Sequence, residues 1–143
     1  GESLFRNTME ALKKNKIDSF EKYLQNILLK STSYYDTSNE DFYHGLILGM
    51  TLYLDRDYYV TSNRESGLDR YDVIVEPKNR NNRGYILEFK VAKIEKDLEK
   101  VSKEAIEQII DKKYDTQLKE RGIKDITLLG IAFFGKILKV SHK

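Results

Sequence analysis

"RYDVIVEPKNRNNRGYILEFKV", residues 70–91, decides how this chain is built. Its two apolar runs are rich in Val, Ile, Tyr and Phe, and PKNRNNRG between them is the one strong turn cluster of the sequence, so the stretch reads as strand, loop and strand. Alternate residues of a strand face opposite sides of the sheet. Glu88 and Lys90 therefore share a face with Ile86, whereas Leu87, Phe89 and Val91 share the other. Asp72, at the start of the first strand, comes near Glu88 if the loop lets the two strands pair. Carboxylates placed beside Val, Ile and Leu cost free energy unless each is paired or holds an ion. Two readings are open at this point. Glu88 and Lys90 can form a solvated ion pair on a strand face, or Asp72 and Glu88 can hold a divalent cation, with Lys90 as a compact positive charge for a phosphate or a water.

Outward from this stretch, "DYYVTSNRESG" supplies a strand before it, giving a meander of three. Two helical regions come earlier. One looks helical from about Leu4 to Lys14 and, after a capping box at Asp18 and Glu21, continues with the same period through Phe20, Tyr23, Leu24, Ile27 and Leu28; the other is "EDFYHGLILGMTLYL", opened by Ser38 as N-cap with Asp41 three residues on, after the break "STSYYDTS". Beyond the meander, Leu98, Val101, Ala105, Ile109 and Leu118 mark one helical stripe, stopped by Gly122. "DITLLGIAFFGKILKV" then reads as an apolar strand, a turn and a short last strand. The expected order is α-α-β-β-β-α-β-β. A continuous apolar strand after a crossover helix implies a mixed central β-sheet flanked by helices on both faces, an α/β fold.

The 143 residues suffice for one domain, 1–143, with a substantial core. There is no cysteine, so thiolate metal sites are excluded, and with only two histidines a His-rich zinc site is disfavoured and any metal would be held mainly by oxygen. With 25 Lys plus Arg against 23 Asp plus Glu, the net charge of +2 says little about partners, and local clusters matter more. No apolar stretch is long enough to span a membrane and no signal peptide is visible, which reads as a cytoplasmic protein. The Gly-Glu-Ser start without methionine reads as a C-terminal fragment of a longer protein. His44, beside Gly45 and Leu46, reads as a packed or hydrogen-bonded structural histidine rather than a ligand.

An Asp followed after 15 residues by Glu-x-Lys in an apolar strand resembles the PD-(D/E)XK nuclease superfamily. "EDFYHGLILGM", "SNRESGLDRYDVIVEP", "ILEFKV", "AIEQIIDKKY" and "GIAFFGK" together are similar to the predicted nuclease family found C-terminal to an AAA-ATPase-like domain, often in bacteria of the gut. The resemblance implies a restriction-endonuclease-like core and a Mg²⁺- or Mn²⁺-dependent endonuclease acting on DNA. Asp72 and Glu88 match the metal-binding acids, with the carbonyl of Phe89 beside them, and Lys90 matches the lysine that positions or activates water. Glu40 matches an acid on the first core helix, which cap chemistry explains equally well. Gln108 and Tyr114 match polar residues that lean over the site. In place of the proline of the family's name stands Arg70-Tyr71. Arg64, Arg70, Lys78, Arg80 and Arg83 are candidate phosphate contacts, extended by Lys112 and Lys113, and Tyr34, Tyr35, Tyr58 and Tyr59 offer stacking faces. Implied partners are nucleic acid, an upstream AAA-ATPase-like domain and a second copy of the chain. A non-catalytic nucleic-acid-binding or dimerisation module is the alternative.

Overall fold

The computed structural model describes residues 2–31, 39–64 and 70–143, with the side chains of Glu2, Ser31, Asn39, Glu40 and Asp41 outside the description. The expectations for Ser38 and Asp41 as a cap, for Tyr34 and Tyr35 as stacking faces, and for the side chain of Glu40 lie outside the described residues. No described helix is long and apolar enough to cross a membrane.

Strand alternation sorts the side chains to two faces. The sheet consists of β1 (Tyr58–Arg64), β2 (Arg70–Pro77), β3 (Gly84–Val91), β4 (Ile126–Phe134) and β5 (Ile137–His142), in that spatial order. Neighbours are antiparallel except β3 and β4, which run parallel. A parallel pair needs a crossover. Here it is a 3₁₀ turn (Glu95–Asp97) followed by helices α4 (Leu98–Asp111) and α5 (Tyr114–Glu120).

On one face Tyr71, Val73, Val75, Tyr85, Leu87, Phe89, Leu129, Ile131 and Phe133 form the larger core with helices α1 (Glu2–Lys13), α2 (Ile17–Ser31) and α3 (Asn39–Leu54). Tyr43 of α3 is its aromatic centre, with ring centroids 4.9 Å from Tyr71, 5.6 Å from Phe89 and 5.0 Å from Phe133. The opposite face carries a smaller core, in which Ile86 and Leu128 meet Ile106, Ile109, Leu118 and Ile123. The three-strand meander, the two final strands and the helices on both faces agree with the restriction-endonuclease-like α/β architecture.

Helix counts differ from the expected order in two places. The region from Leu4 to Leu28 is two helices, broken at Asn15, whose φ of 57° is left-handed; Asn tolerates that conformation better than most side chains. Asp18 lies inside the first turn of α2, and Glu21 does not close a capping box. Its carboxylate instead accepts the backbone N–H of Val140. Gln25, one turn on, accepts from Leu138 N–H at 2.9 Å and donates to the Lys136 carbonyl at 2.7 Å. Two side chains of α2 thus occupy polar groups of the edge strand β5 that would otherwise be open to strand addition. The second difference is that the stripe from Leu98 to Leu118 is two helices, because Lys113 also adopts left-handed φ, at 60°. Periodicity conceals the break because Ile109 and Leu118 return to the same core.

Candidate active site

The register of β2 on β3 sets Asp72 directly opposite Glu88 on the face turned to α4. Behind them, Tyr71 faces Phe89 on the aromatic side. On its other flank Glu88 is level with Gly130 of β4. A Cβ at Gly130 would come within 1.9 Å of the Ser102 carbonyl of α4. Glycine there lets the helix backbone press onto the sheet, and the Ser102 hydroxyl ties down at 2.6 Å to Ser141 of β5. Glu88 is consequently 0% exposed and Asp72 1%.

Two buried carboxylates side by side repel each other, and here an ammonium lies between them. Lys112 Nζ is 2.7 Å from Asp72 Oδ2 and 3.1 Å from Glu88 Oε1. The Tyr114 hydroxyl donates a second bond to Asp72 Oδ2, at 3.2 Å. The other oxygens, Asp72 Oδ1 and Glu88 Oε2, are buried without a hydrogen-bond partner among the described residues, as is Gln108 Oε1. Burial first, and the neighbouring Asp72 second, push the Glu88 carboxyl up to about 8 against the pull of Lys112. Burial and then the charge of Asp72 likewise raise the Tyr114 phenol above its ordinary value.

Asp72, Glu88 and Gln108 stand on the elements the sequence assigned to them, whereas Tyr114, expected on the same helix as Gln108, opens the separate helix α5. Lys90 is on the expected face, but its ammonium reaches Glu104 of α4, at 3.3 Å, rather than either acid. The solvated Glu88–Lys90 pair does not form, since Glu88 is fully buried and held by Lys112 instead. Lys112 itself is not a surface extension. It is the ammonium of the site, placed there because α4 ends at Asp111 and the left-handed Lys113 turns Lys112 and Tyr114 onto Asp72 together. The legible signal was spacing: Glu104, Gln108 and Lys112 recur every four residues beside the buried stripe of α4, so the helix presents one polar row to the strand pair.

The basic residues divide. Arg64 is opposite Tyr71, its guanidinium 5.6 Å from that ring, and Arg70 is opposite Lys90, so both sit at the acid end of the sheet. Lys78, Arg80 and Arg83 lie beyond the other end of β2, six or more residues from Asp72 and so roughly 20 Å away. They have local work there: Lys78 donates to the Asp55 carbonyl at 2.7 Å, Arg83 to the Thr127 hydroxyl at 3.3 Å, and Arg80 packs beside Gly122. Tyr58 is buried and offers no stacking face, while Tyr59 is exposed beside the Lys78 ammonium. His44 is exposed rather than packed inside, its ring edge-on to Tyr71.

Among the described residues no group of three or more His, Cys, Asp or Glu side chains gathers as metal ligands. The donor chemistry nevertheless suits a hard divalent ion. Two facing carboxylates each keep an unpartnered oxygen, a buried amide oxygen lies one helical turn before Lys112, and a cation already stands between the acids.

A mixed sheet with a parallel pair joined through a helical crossover, helices on both faces and an acid pair on adjacent strands defines a restriction-endonuclease-like protein. The chain belongs to the PD-(D/E)XK nuclease superfamily, whose family model matches residues 38–143. No curated protein and no solved structure matches it significantly. The matched span takes in α3 to the end of β5, so α1 and α2, which complete the larger core and cover β5, precede it.

Proposed function

We propose that the protein is a metal-dependent nuclease that hydrolyses phosphodiester bonds of DNA, with Mg²⁺ or Mn²⁺ bound by Asp72 and Glu88. The observation that carries this reading is the facing pair of buried carboxylates, each with an oxygen left over. Outside a metal site such a pair is costly, because burial and mutual repulsion both oppose ionisation. A divalent ion held there supplies positive charge to a crowded phosphate and a more acidic water. The Phe89 carbonyl and Glu40 would complete the ligand set. Lys90, released from Glu104, would position the water or the phosphate, and Gln108 would hold the same water or a phosphate oxygen. Arg64 and Arg70, at the acid end, would neutralise the nucleic-acid backbone, a contact that weakens with salt. The resemblance of the sequence blocks supports a place next to an AAA-ATPase-like domain in the cytoplasm, and the exposed Leu48 and Leu52 of α3 would suit a homodimer.

The test is calorimetric titration of Mg²⁺ and then Mn²⁺ into wild type and Asp72→Asn, with cleavage of supercoiled plasmid in parallel. Wild type should bind metal and nick plasmid, and the variant should do neither. A wild type that binds DNA in a salt-sensitive manner but never cleaves it would leave the second reading, a non-catalytic nucleic-acid-binding module. That reading draws its support from Lys112, whose ammonium already bonds one oxygen of each acid without an ion.

A further inference from the structure

We propose that Lys112 is a resident counter-ion that holds the metal position and must withdraw from Asp72 and Glu88 before a divalent ion can enter, so that it sets the metal affinity of the site. The inference rests on the metal-site reading above and goes beyond it, by assigning to a helix residue outside the Asp…Glu-x-Lys pattern control over whether that pattern can be loaded.

Three observations converge. The ammonium contacts one oxygen of each acid, at 2.7 and 3.1 Å, between the same two groups that a bridging cation would address. The acids themselves are 0–1% exposed, whereas the Lys112 side chain is 21% exposed, so Lys112 is the open side of an otherwise closed pair. The lysine of the strand pattern is engaged elsewhere, with Glu104, and leaves this role to Lys112.

An ammonium cannot share the acids with an ion at full strength. Both are cations, the pair has only two negative charges, and the contacts with Lys112 use an oxygen of each. Ion entry must therefore break at least part of the charge-assisted hydrogen bonding that holds Lys112. The exchange costs the ion affinity, and in the apo protein Lys112 compensates the buried acid charge that the ion would otherwise meet. The Lys112 ammonium is carried on a flexible four-carbon stem and sits immediately before the left-handed turn at Lys113, so it can swing to solvent, or to an incoming phosphate, without moving α4.

The experiment titrates Mg²⁺ alone, at pH 8.5, into wild type and Lys112→Met, which keeps the length and apolar stem and removes the charge. The expected result is a Kd at least about tenfold tighter in the variant, about 1.4 kcal/mol, together with a lower apo Tm and a larger Tm rise on adding Mg²⁺. Binding by the variant and none by wild type would also support the proposal, and would identify the native chain as a metal-excluding module. Equal or weaker binding by the variant, with wild type binding, overturns the proposal and leaves the metal-site reading intact. Absence of binding in both overturns the two together. Should Lys112→Met fail to fold, wild type answers alone: amine acylation followed by peptide mass spectrometry should label Lys112 several-fold more with Mg²⁺ than with EDTA, and unchanged labelling overturns the proposal.

Discussion

Replacing Glu88 by Gln isolates the consequence of burying a second carboxyl beside Asp72. Glutamine has the shape of a protonated glutamate, so the variant mimics the native group before it ionises. In the native state Glu88 keeps its proton up to about 8, whereas the unfolded chain releases it near the ordinary 4.5. Between those values the native state binds more protons than the unfolded one, so the stabilisation is complete below about pH 4.5 and is lost as pH rises towards 8. Holding the proton over that range corresponds to an upper bound of about 5 kcal/mol. Other titrating groups are common to both proteins, so the informative quantity is the stability of Glu88→Gln minus that of wild type. Urea unfolding in EDTA at pH 5, 6, 7 and 8 should show this difference growing in favour of the variant, by at least about 2 kcal/mol over the series. A difference constant within about 0.5 kcal/mol would refute the reasoning, because it would mean that Glu88 is already ionised at pH 5 and that Lys112 compensates both acids fully.

Gly130→Ala should destabilise by about 1–3 kcal/mol or more, since its methyl group meets backbone rather than a flexible side chain, and the loss is read from the urea midpoint. Gln25→Ala removes its bonds to the Lys136 carbonyl and to Leu138 of β5 and should cost about 1–2 kcal/mol, with faster amide exchange at Leu138 as the specific sign. Arg121→Ala breaks a two-pronged pair with Glu76, at 2.7 and 3.0 Å, yet should cost under about 1 kcal/mol because both groups face solvent. In DNA binding, Arg64→Ala and Arg70→Ala should each flatten the salt dependence, whereas Lys78→Ala and Arg80→Ala should alter it less, as measured by fluorescence anisotropy across a salt series.

Strand parity made the site partly legible in the sequence. Because side chains alternate with a period of two, YILEFKV alone set Glu88 and Lys90 on one face and Leu87 and Phe89 on the other, and the turn cluster after Pro77 made pairing of the two strands the natural outcome. The apolar run of β4 likewise announced a strand covered on both sides. Helix continuity was not legible, since Asn15 and Lys113 break their helices through a backbone conformation that no apolar pattern records. Nor was the assignment of lysines. Sequence adjacency favoured Lys90 as the partner of Glu88, but which amine reaches which acid depends on how closely α4 docks, and that is set 42 residues away from Glu88 in the chain, at Gly130. Local alternation is a property of neighbouring residues and is written in their order. The ion pairs of a buried site are settled by contacts between distant segments, and only the packed tertiary structure decides them.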